Sequence, residues 1–392
     1  EKDQPQTYGR KTLSEMLSQA GFACSEFMAP FPDYKLPVSI VTEKGFSCDD
    51  FDAAALAWQS VKRDPQLPEV CHFSQELAWP VLFSNQLGLE LSNSFLVIAS
   101  PILQTLVPAG DLAYHYSTTR LAEYCKETVF SSQDAQNVSV CYRRLGHANK
   151  SVHLSTSSQS SIQFITPPVD EYVLGTPLSL EFIHIVTQDG WTFDQIGQYL
   201  KRYLSVLSTL ATTAPINESS LAGFATYPGS YIDCIPQNIM MDAQGKATFI
   251  DKEWQLVNPV EEPYLIFRSL IQLCGSITRF GRPASGENLT VYQLIQKSFN
   301  AVGITCNNAD IARFESIEYE IQLAVSGIAM QTYFDKQKTR LLPILSLSQV
   351  VTERDARIAQ LEQRIADLQN SASWKLMSPL RVISGKVKAL LS

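Results

Sequence analysis

Apolar residues fall into two rhythms along this chain. Runs of five to eight, at 27–31, 36–42 and 93–100, predict buried strands. Three further stretches, 112–130, 138–145 and 161–166, alternate or run apolar in the manner of a small, mostly antiparallel sheet. Pro167-Pro168 ends the last of them. Elsewhere the spacing lengthens to three and four. Residues 11–20 read as a short helix with Leu13, Met16 and Leu17 on one face and Gly21 as its stop. Residues 193–212 read as a long amphipathic helix, with Ile196, Tyr199, Leu200, Tyr203, Leu207 and Leu210 at helical spacing. Stretches 264–274 and 317–334 predict two more helices, and the fold class expected is α+β.

Polar residues interrupt one stretch in a pattern that suits a particular chemistry. In YPGSYIDCIPQNIMMDAQGKATFIDKEW, residues 227–254, Asp233 is followed five positions later by Asn238 and thirteen beyond that by Asp251. Ile239, Met240 and Met241 lead into the turn Asp242-Ala-Gln-Gly245, and 247–250 returns apolar. The resulting hairpin brings Asp251 back beside Asn238. Phosphoryl transfer from a nucleotide uses such a set: an acid to orient or deprotonate the acceptor hydroxyl, plus an amide and a carboxylate to hold Mg²⁺ on the phosphates. Asp and Asn next to Pro also make ordinary turns, and that reading stands beside the chemical one.

Composition removes several other classes. A net charge of −8, with no basic stripe carrying interleaved aromatics, speaks against nucleic acid as a partner. The eight cysteines are dispersed without a C-x-x-C pair, which predicts reduced thiols in a cytoplasmic protein. The five histidines form no ligand cluster, so no zinc site is expected. No run of about eighteen apolar residues occurs to span a bilayer. The first residue is Glu rather than Met, and the chain reads as part of a longer product.

The last fifty residues change character. Val351, Ile358, Leu361, Ile365, Leu368 and Ala372 recur by threes and fours, a heptad seam over 345–371. Ile at a with Leu at d favours a parallel dimer, with a trimer left open, or else the helix packs on the preceding domain. Residues 372–392 then carry Trp374, Lys375, Arg381, Lys386 and Lys388 and no acid. Trp and aliphatics among isolated cations suit contact with an anionic membrane surface or docking to another protein.

Several of these parts resemble known families. Asp233-x4-Asn238, followed after a hairpin by Asp251, is similar to the catalytic loop and metal-binding Asp of the protein-kinase-like fold. The resemblance implies a bilobal domain over 102–340 that binds ATP and Mg²⁺. It makes Asp233 the residue at the acceptor hydroxyl and Asn238 and Asp251 the metal ligands. Its hinge, which holds the adenine, falls at 171–178 and begins at Glu171. The nucleotide-clamping lysine is not evident, and Arg143 and Arg144, on opposite faces of the 138–145 strand, are the expected substitutes. No Gly-rich loop is visible. D-x-E-W after the hairpin, in Asp251-Lys252-Glu253-Trp254, resembles small-molecule and sugar kinases more than regulated protein kinases.

Residues 1–101 resemble the C-terminal part of a class I (Rossmann-like) S-adenosylmethionine methyltransferase, in Tyr8-Gly-Arg-Lys-Thr-Leu, Pro30-Phe-Pro-Asp-Tyr-Lys-Leu-Pro37 and Leu91-Ser-Asn-Ser-Phe-Leu-Val-Ile98. The Gly-rich cofactor loop of that family has no counterpart, so this chain is expected to bind S-adenosylmethionine only with a missing N-terminal half. Taken in order, methyltransferase end, kinase-like domain, coiled coil and the S-x-S-W-x-L-x-x-P-L-R tail resemble the bifunctional methyltransferase/kinases that terminate bacterial O-antigen chains. That family implies a kinase acting on a sugar hydroxyl at the end of a lipid-linked polysaccharide. It also implies a homo-oligomer, a possible polysaccharide polymerase partner, and a peripheral position on the inner face of the cytoplasmic membrane. A catalytically inactive kinase-like membrane scaffold is the alternative, as is a methyltransferase whose catalytic half lies outside this chain.

Overall fold

The computed structural model describes residues 7–132, 137–146, 162–165, 167–211, 224–328 and 339–376. The chain forms two compact units. One comprises the residues up to Glu69 together with Phe73–Pro343, and the other comprises Val70–His72 with Ile344–Ser392.

The first unit is built on a large antiparallel sheet. Helix α1 (Arg10–Gln19) ends where Gly21 adopts φ +93, the left-handed stop a glycine makes without strain. Strands β1 (Cys24–Phe31) and β2 (Ser39–Thr42) follow, then α2 (Glu43–Ser47), α3 (Ala53–Trp58) and α4 (Gln75–Ser84). Strands β3 (Leu96–Ser100), β4 (Asp111–Ser117), β5 (Lys126–Ser132) and β6 (Val138–Arg144) come next. After β7 (Ile162–Phe164), β8 (Val169–Glu171) completes a seven-stranded sheet in the order β3-β1-β2-β4-β5-β6-β8. Ala29, Phe31, Val41, Leu112 and Ala113 of the sheet pack on Phe51, Ala53, Ala57 and Leu89 to make one core. Burying each large side chain of this kind stabilises the fold by about 1.5–3 kcal/mol.

Two expectations need correction here. A domain boundary near residue 101 is not a break in the fold, because β2 pairs with β4 (Ile40 opposite Tyr114) and one sheet runs across it. The stretch 112–130 is not one element. Strand β4 ends at Ser117, Ala122–Tyr124 forms a 3-10 turn, and β5 starts afresh at Lys126.

A second, helical core lies in the same unit. Strand β9 (Thr176–Pro177) leads into α5 (Ser179–Val186) and α6 (Phe193–Ala211), the long amphipathic helix expected from its spacing. Strands β10 (Thr226–Tyr227), β11 (Ile239–Met241), β12 (Ala247–Phe249), β13 (Trp254–Leu256) and β14 (Val260–Glu261) are short. Helices α7 (Glu262–Ser276), α8 (Val291–Val302) and α9 (Asn308–Ser326) follow, the last capped reciprocally by Asn307 and Asp310. Ile196, Tyr199, Tyr203 and Leu207 of α6 are fully buried against this core, together with Leu265, Phe267, Leu270, Phe299 and Phe314.

In the second unit α10 (Leu347–Asn370) runs on into the short α11 (Ala372–Leu376). Val351, Ile358, Leu361, Ile365 and Leu368 along α10 are all exposed. No helix among the described residues is long and apolar enough to cross a membrane.

Candidate functional site

The hairpin expected from the sequence forms as β11 and β12, with Ile239 opposite Phe249 and Met241 opposite Ala247. Its turn is closed by the Asp242 carboxylate, which accepts from the backbone N–H of Gln244 (2.9 Å) and Lys246 (2.8 Å), and Gly245 takes φ +80. The Ile250 N–H donates to the Asn238 carbonyl at 2.9 Å, so the two ends of the hairpin are fastened together next to Asp251. Asn238 in turn donates from Nδ2 to the Asp233 carbonyl (3.0 Å), which ties the first member of the trio to the second. Asp251 has φ +54, a left-handed backbone that a non-glycine residue holds only at a cost of roughly 1–3 kcal/mol. Strain of that kind concentrates at functional positions.

A cleft of about 450 Å³ lies over this hairpin. Period-2 alternation explains its roof. His115 and Ser117 of β4, Lys126, Thr128 and Phe130 of β5, and Val140 and Tyr142 of β6 all face it, in register across the three strands. Gln237, Asn238, Met240, Thr248, Phe249 and Asp251 form its floor. Phe51, Asp52, Ala55 and Leu56 close one side, and Asp170, Glu171, Tyr172 and Val173 line another. Phe51, Phe130 and Tyr172 make an aromatic cluster, with ring centroids 5.2–6.0 Å apart. The Tyr172 hydroxyl accepts from the Asp52 N–H at 3.0 Å.

Lys126 and Lys252 both line this cleft, and Lys126 is the buried one. Its Nζ stands 3.3 Å from Asp251 Oδ1, donates to Glu253 Oε2, and lies 4.4 Å from the centre of the Tyr142 ring. Glu253 is only 3% exposed and binds Arg120 through its other oxygen at 2.5 Å. Burial, then the charge of Asp251, pushes the Glu253 carboxyl upward, while Lys126 and Arg120 oppose that rise. His115 bonds Ser39 Oγ through Nδ1 (2.9 Å). Burial, with the nearby charge of Arg63, drives its imidazole down to about 4.

Lys126 takes the place expected for Arg143 or Arg144. The same alternation that points Lys126 into the cleft turns Arg143 to the opposite face, where it pairs across the strands with Glu127 and leaves 70% of its side chain exposed. Arg144 stands opposite Lys126 in register, but its guanidinium lies over the Phe164 ring at 5.5 Å. Neither lines the cleft. Glu171, the last residue of β8, does line it.

Asp233 is 7% exposed and sits behind the cleft rather than in its lining. Arg268 of α7 holds it, with Nη2 2.6 Å from Asp233 Oδ1 and Nε donating to the Ile232 carbonyl at 3.1 Å. Nη1 of the same guanidinium binds Glu318 of α9 at 2.6 Å, and Glu318 also accepts from the Tyr264 hydroxyl at 2.9 Å. Burial alone would raise the Glu318 carboxyl, but Arg268 and these hydrogen bonds outweigh it and hold it below the usual range. The Tyr203 hydroxyl donates to the Cys234 carbonyl at 2.8 Å, so α6 and α7 grip the Asp233 loop from two sides.

As chemistry, the cleft offers apolar walls, one buried ammonium, and the hard oxygen donors of Asn238 and Asp251. Among the described residues no group of three or more His, Cys, Asp or Glu side chains converges on a cation position. An Asn–Asp pair suits a small hard ion whose remaining ligands are water and phosphate oxygens, which is how Mg²⁺ is usually held beside a nucleotide. Of the tail residues, Trp374 and Lys375 are exposed, and Arg381, Lys386 and Lys388 lie outside the described residues. Comparison of the chain with family models, curated proteins and solved structures gave no match.

Proposed function

We propose that the protein is an ATP- and Mg²⁺-dependent phosphotransferase of protein-kinase-like architecture acting on a sugar hydroxyl. The observation that carries this reading is the meeting of Lys126 with Asp251 at 3.3 Å, across 125 residues of chain, above the Asn238 amide. A buried ammonium beside two hard oxygen donors is a site for a polyphosphate and its counter-ion. The flat apolar space between Phe130 and Val140 above and Met240 and Phe249 below suits a nucleobase, with the 171–173 segment at its edge.

Roles follow from position. Lys126 neutralises phosphate oxygens of the nucleotide. Asn238 and Asp251 would hold Mg²⁺, which when bound supplies charge neutralisation on the phosphates. Asp233, with Oδ1 taken by Arg268, would orient the acceptor hydroxyl through its other carboxylate oxygen, from its place behind the cleft lining where it is 7% exposed. The acceptor oxygen then bonds to the γ-phosphorus, the bond from that phosphorus to the ADP oxygen breaks, and the hydroxyl proton passes to Asp233. With one carboxylate oxygen held by Arg268, Asp233 acts chiefly by orienting the hydroxyl.

The acceptor class rests on the order of parts along the sequence, which resembles the enzymes that end O-antigen chains. The exposed apolar seam of α10 supports assembly of the chain into a dimer or trimer. Exposed Trp374 and Lys375 support contact with an anionic membrane at the cytoplasmic face. The experiment is transfer of labelled γ-phosphate from ATP to a mannose-type oligosaccharide by the purified protein. Asp233→Ala is expected to reduce the rate about 10²–10⁴-fold. Transfer that survives this substitution, or needs no divalent cation, refutes the reading.

A further inference from the structure

Lys126 is held by two carboxylates from one short segment, and the two are not equivalent. The left-handed turn at Asp251 lets residues 251 and 253 face the same ammonium. Asp251 opens into the cleft with 41% of its side chain exposed, whereas the Glu253 side chain is 3% exposed and stands behind Lys126. Glu253 is also fixed on its far side. Arg120 Nη1 forms an ion pair with its second oxygen at 2.5 Å, and the Arg120 guanidinium lies 5.6 Å from the centre of the Trp254 ring. The Glu253 carbonyl accepts from the Ile165 N–H at 2.7 Å, and β13 pairs with β7 immediately afterwards, so the backbone under Glu253 cannot drift.

We propose that Glu253 is the positioning residue that aims Lys126 at the nucleotide phosphates, with Arg120 as its lock. The inference rests on the phosphotransferase reading. Its physical content is a division of labour within three residues: Asp251 serves the cation, and Glu253 serves the ammonium. Both Glu253 oxygens are committed to positive groups, and a metal ion placed there would face Lys126 and Arg120 at close range. Arg120, Glu253 and Lys126 together carry one net positive charge, directed at the cleft through Lys126. No helix is needed to anchor the lysine, because the segment that carries the metal ligand also carries the anchor.

The test measures ATP affinity by calorimetry, in EDTA and again with Mg²⁺, for wild type, Glu253→Gln, Lys126→Met and the double variant. Losing one charge-assisted contact to the phosphates is expected to weaken binding about ten- to a hundred-fold. Glu253→Gln should match Lys126→Met in both conditions and add nothing to it in the double variant. The double variant removes the Lys126–Glu253 pair but leaves Arg120 without its carboxylate, so Arg120→Met is added to both members of the comparison where folding requires it. The comparison between it and Lys126→Met then decides the matter. Metal-free affinity within about two-fold of wild type in Glu253→Gln, or a further loss on the Lys126→Met background, overturns the positioning role. A loss confined to the Mg²⁺ condition makes Glu253 a metal ligand and also overturns it. Wild type that binds no ATP in either condition overturns the phosphotransferase reading itself.

Discussion

Arg268→Met is the most informative single change in the helical core. Arg268 is buried, and its guanidinium spans Asp233 at 2.6 Å and Glu318 at 2.6 Å while also binding the Ile232 carbonyl. Methionine keeps much of the volume and removes the charge. Breaking a buried pair by deleting one partner costs about 3–5 kcal/mol, mainly because a charge is left behind unpaired. Here Asp233 and Glu318 both lose their partner, and Glu318, which is fully buried, retains only the Tyr264 hydroxyl and the Gln322 amide.

The pH dependence gives this prediction a signature. With Arg268 present the Glu318 carboxyl lies below its unfolded value, so its contribution is full above that value and fades as pH falls through the folded one. Without Arg268, burial dominates and the carboxyl moves above its unfolded value. The folded variant then binds a proton that the unfolded chain does not. The deficit of Arg268→Met should therefore shrink from pH 8 to pH 5, by about 1.4 kcal/mol for each pH unit that the orphaned carboxyl rises. Adding Glu318→Gln should recover about 1–3 kcal/mol at pH 8, because a neutral amide replaces the stranded charge. Urea unfolding followed by tryptophan fluorescence at the two pH values measures all of this. A deficit below about 1 kcal/mol, or one equal at both pH values, refutes the argument.

Two further outcomes follow from neighbouring residues. His115, held down to about 4 by burial and by the charges of Arg63, Lys126 and Arg120 against the opposing pull of Asp251, takes a proton in the unfolded chain near pH 6.5 but not in the folded one. Wild type should therefore lose up to roughly 3 kcal/mol as pH falls from 6.5 to 4, and His115→Gln should flatten that part of a stability–pH curve; parallel curves would exclude the assignment. At Gly229 an added Cβ would lie 1.8 Å from the Leu256 carbonyl oxygen and 2.6 Å from its carbon. Since both are backbone atoms of β13, Gly229→Ala should cost about 1–3 kcal/mol and lower the melting temperature, and an unchanged melting curve would show that β13 yields freely.

The parts that local pattern could reach are those where chemistry and periodicity lie close together in the chain. Asp233, Asn238 and the hairpin up to Asp251 fall within twenty residues, and Asp242 and Gly245 specify the turn, so their proximity was legible. Helix α6 was legible for the same reason, since the six positions named above repeat one apolar face. Lys126 was not. It belongs with Thr128 and Phe130 to a row of alternating residues, but it opens the strand directly after a 3-10 turn, and a single stretch over 112–130 hid that restart. The signal was available: Lys126, Thr128 and Phe130 alternate with Glu127 and Val129, and a lysine at the head of an inward row needs a counter-charge. Arg143 attracted the clamp role because it is cationic and on a strand, yet Glu127, sixteen residues earlier, claims it across the sheet. Arg268 and Glu253 were out of reach, since what matters in each is a partner tens of residues away or more.

The sheet that ignores residue 101 also sets an order of events during synthesis. Strands β1 and β2 can pair as soon as they leave the ribosome, but a two-stranded hairpin alone is marginal in water. The stable partner of β2 is β4, which begins about seventy residues later. At about 5–20 residues per second, the apolar Val41 of β2 therefore waits some 3–14 s before β4 emerges, and longer before β5 and β6 follow. The interval before β4 emerges is thus one in which this chain needs a chaperone. Slowing translation just after residue 100 should raise the aggregated fraction more than the same pause placed after β6.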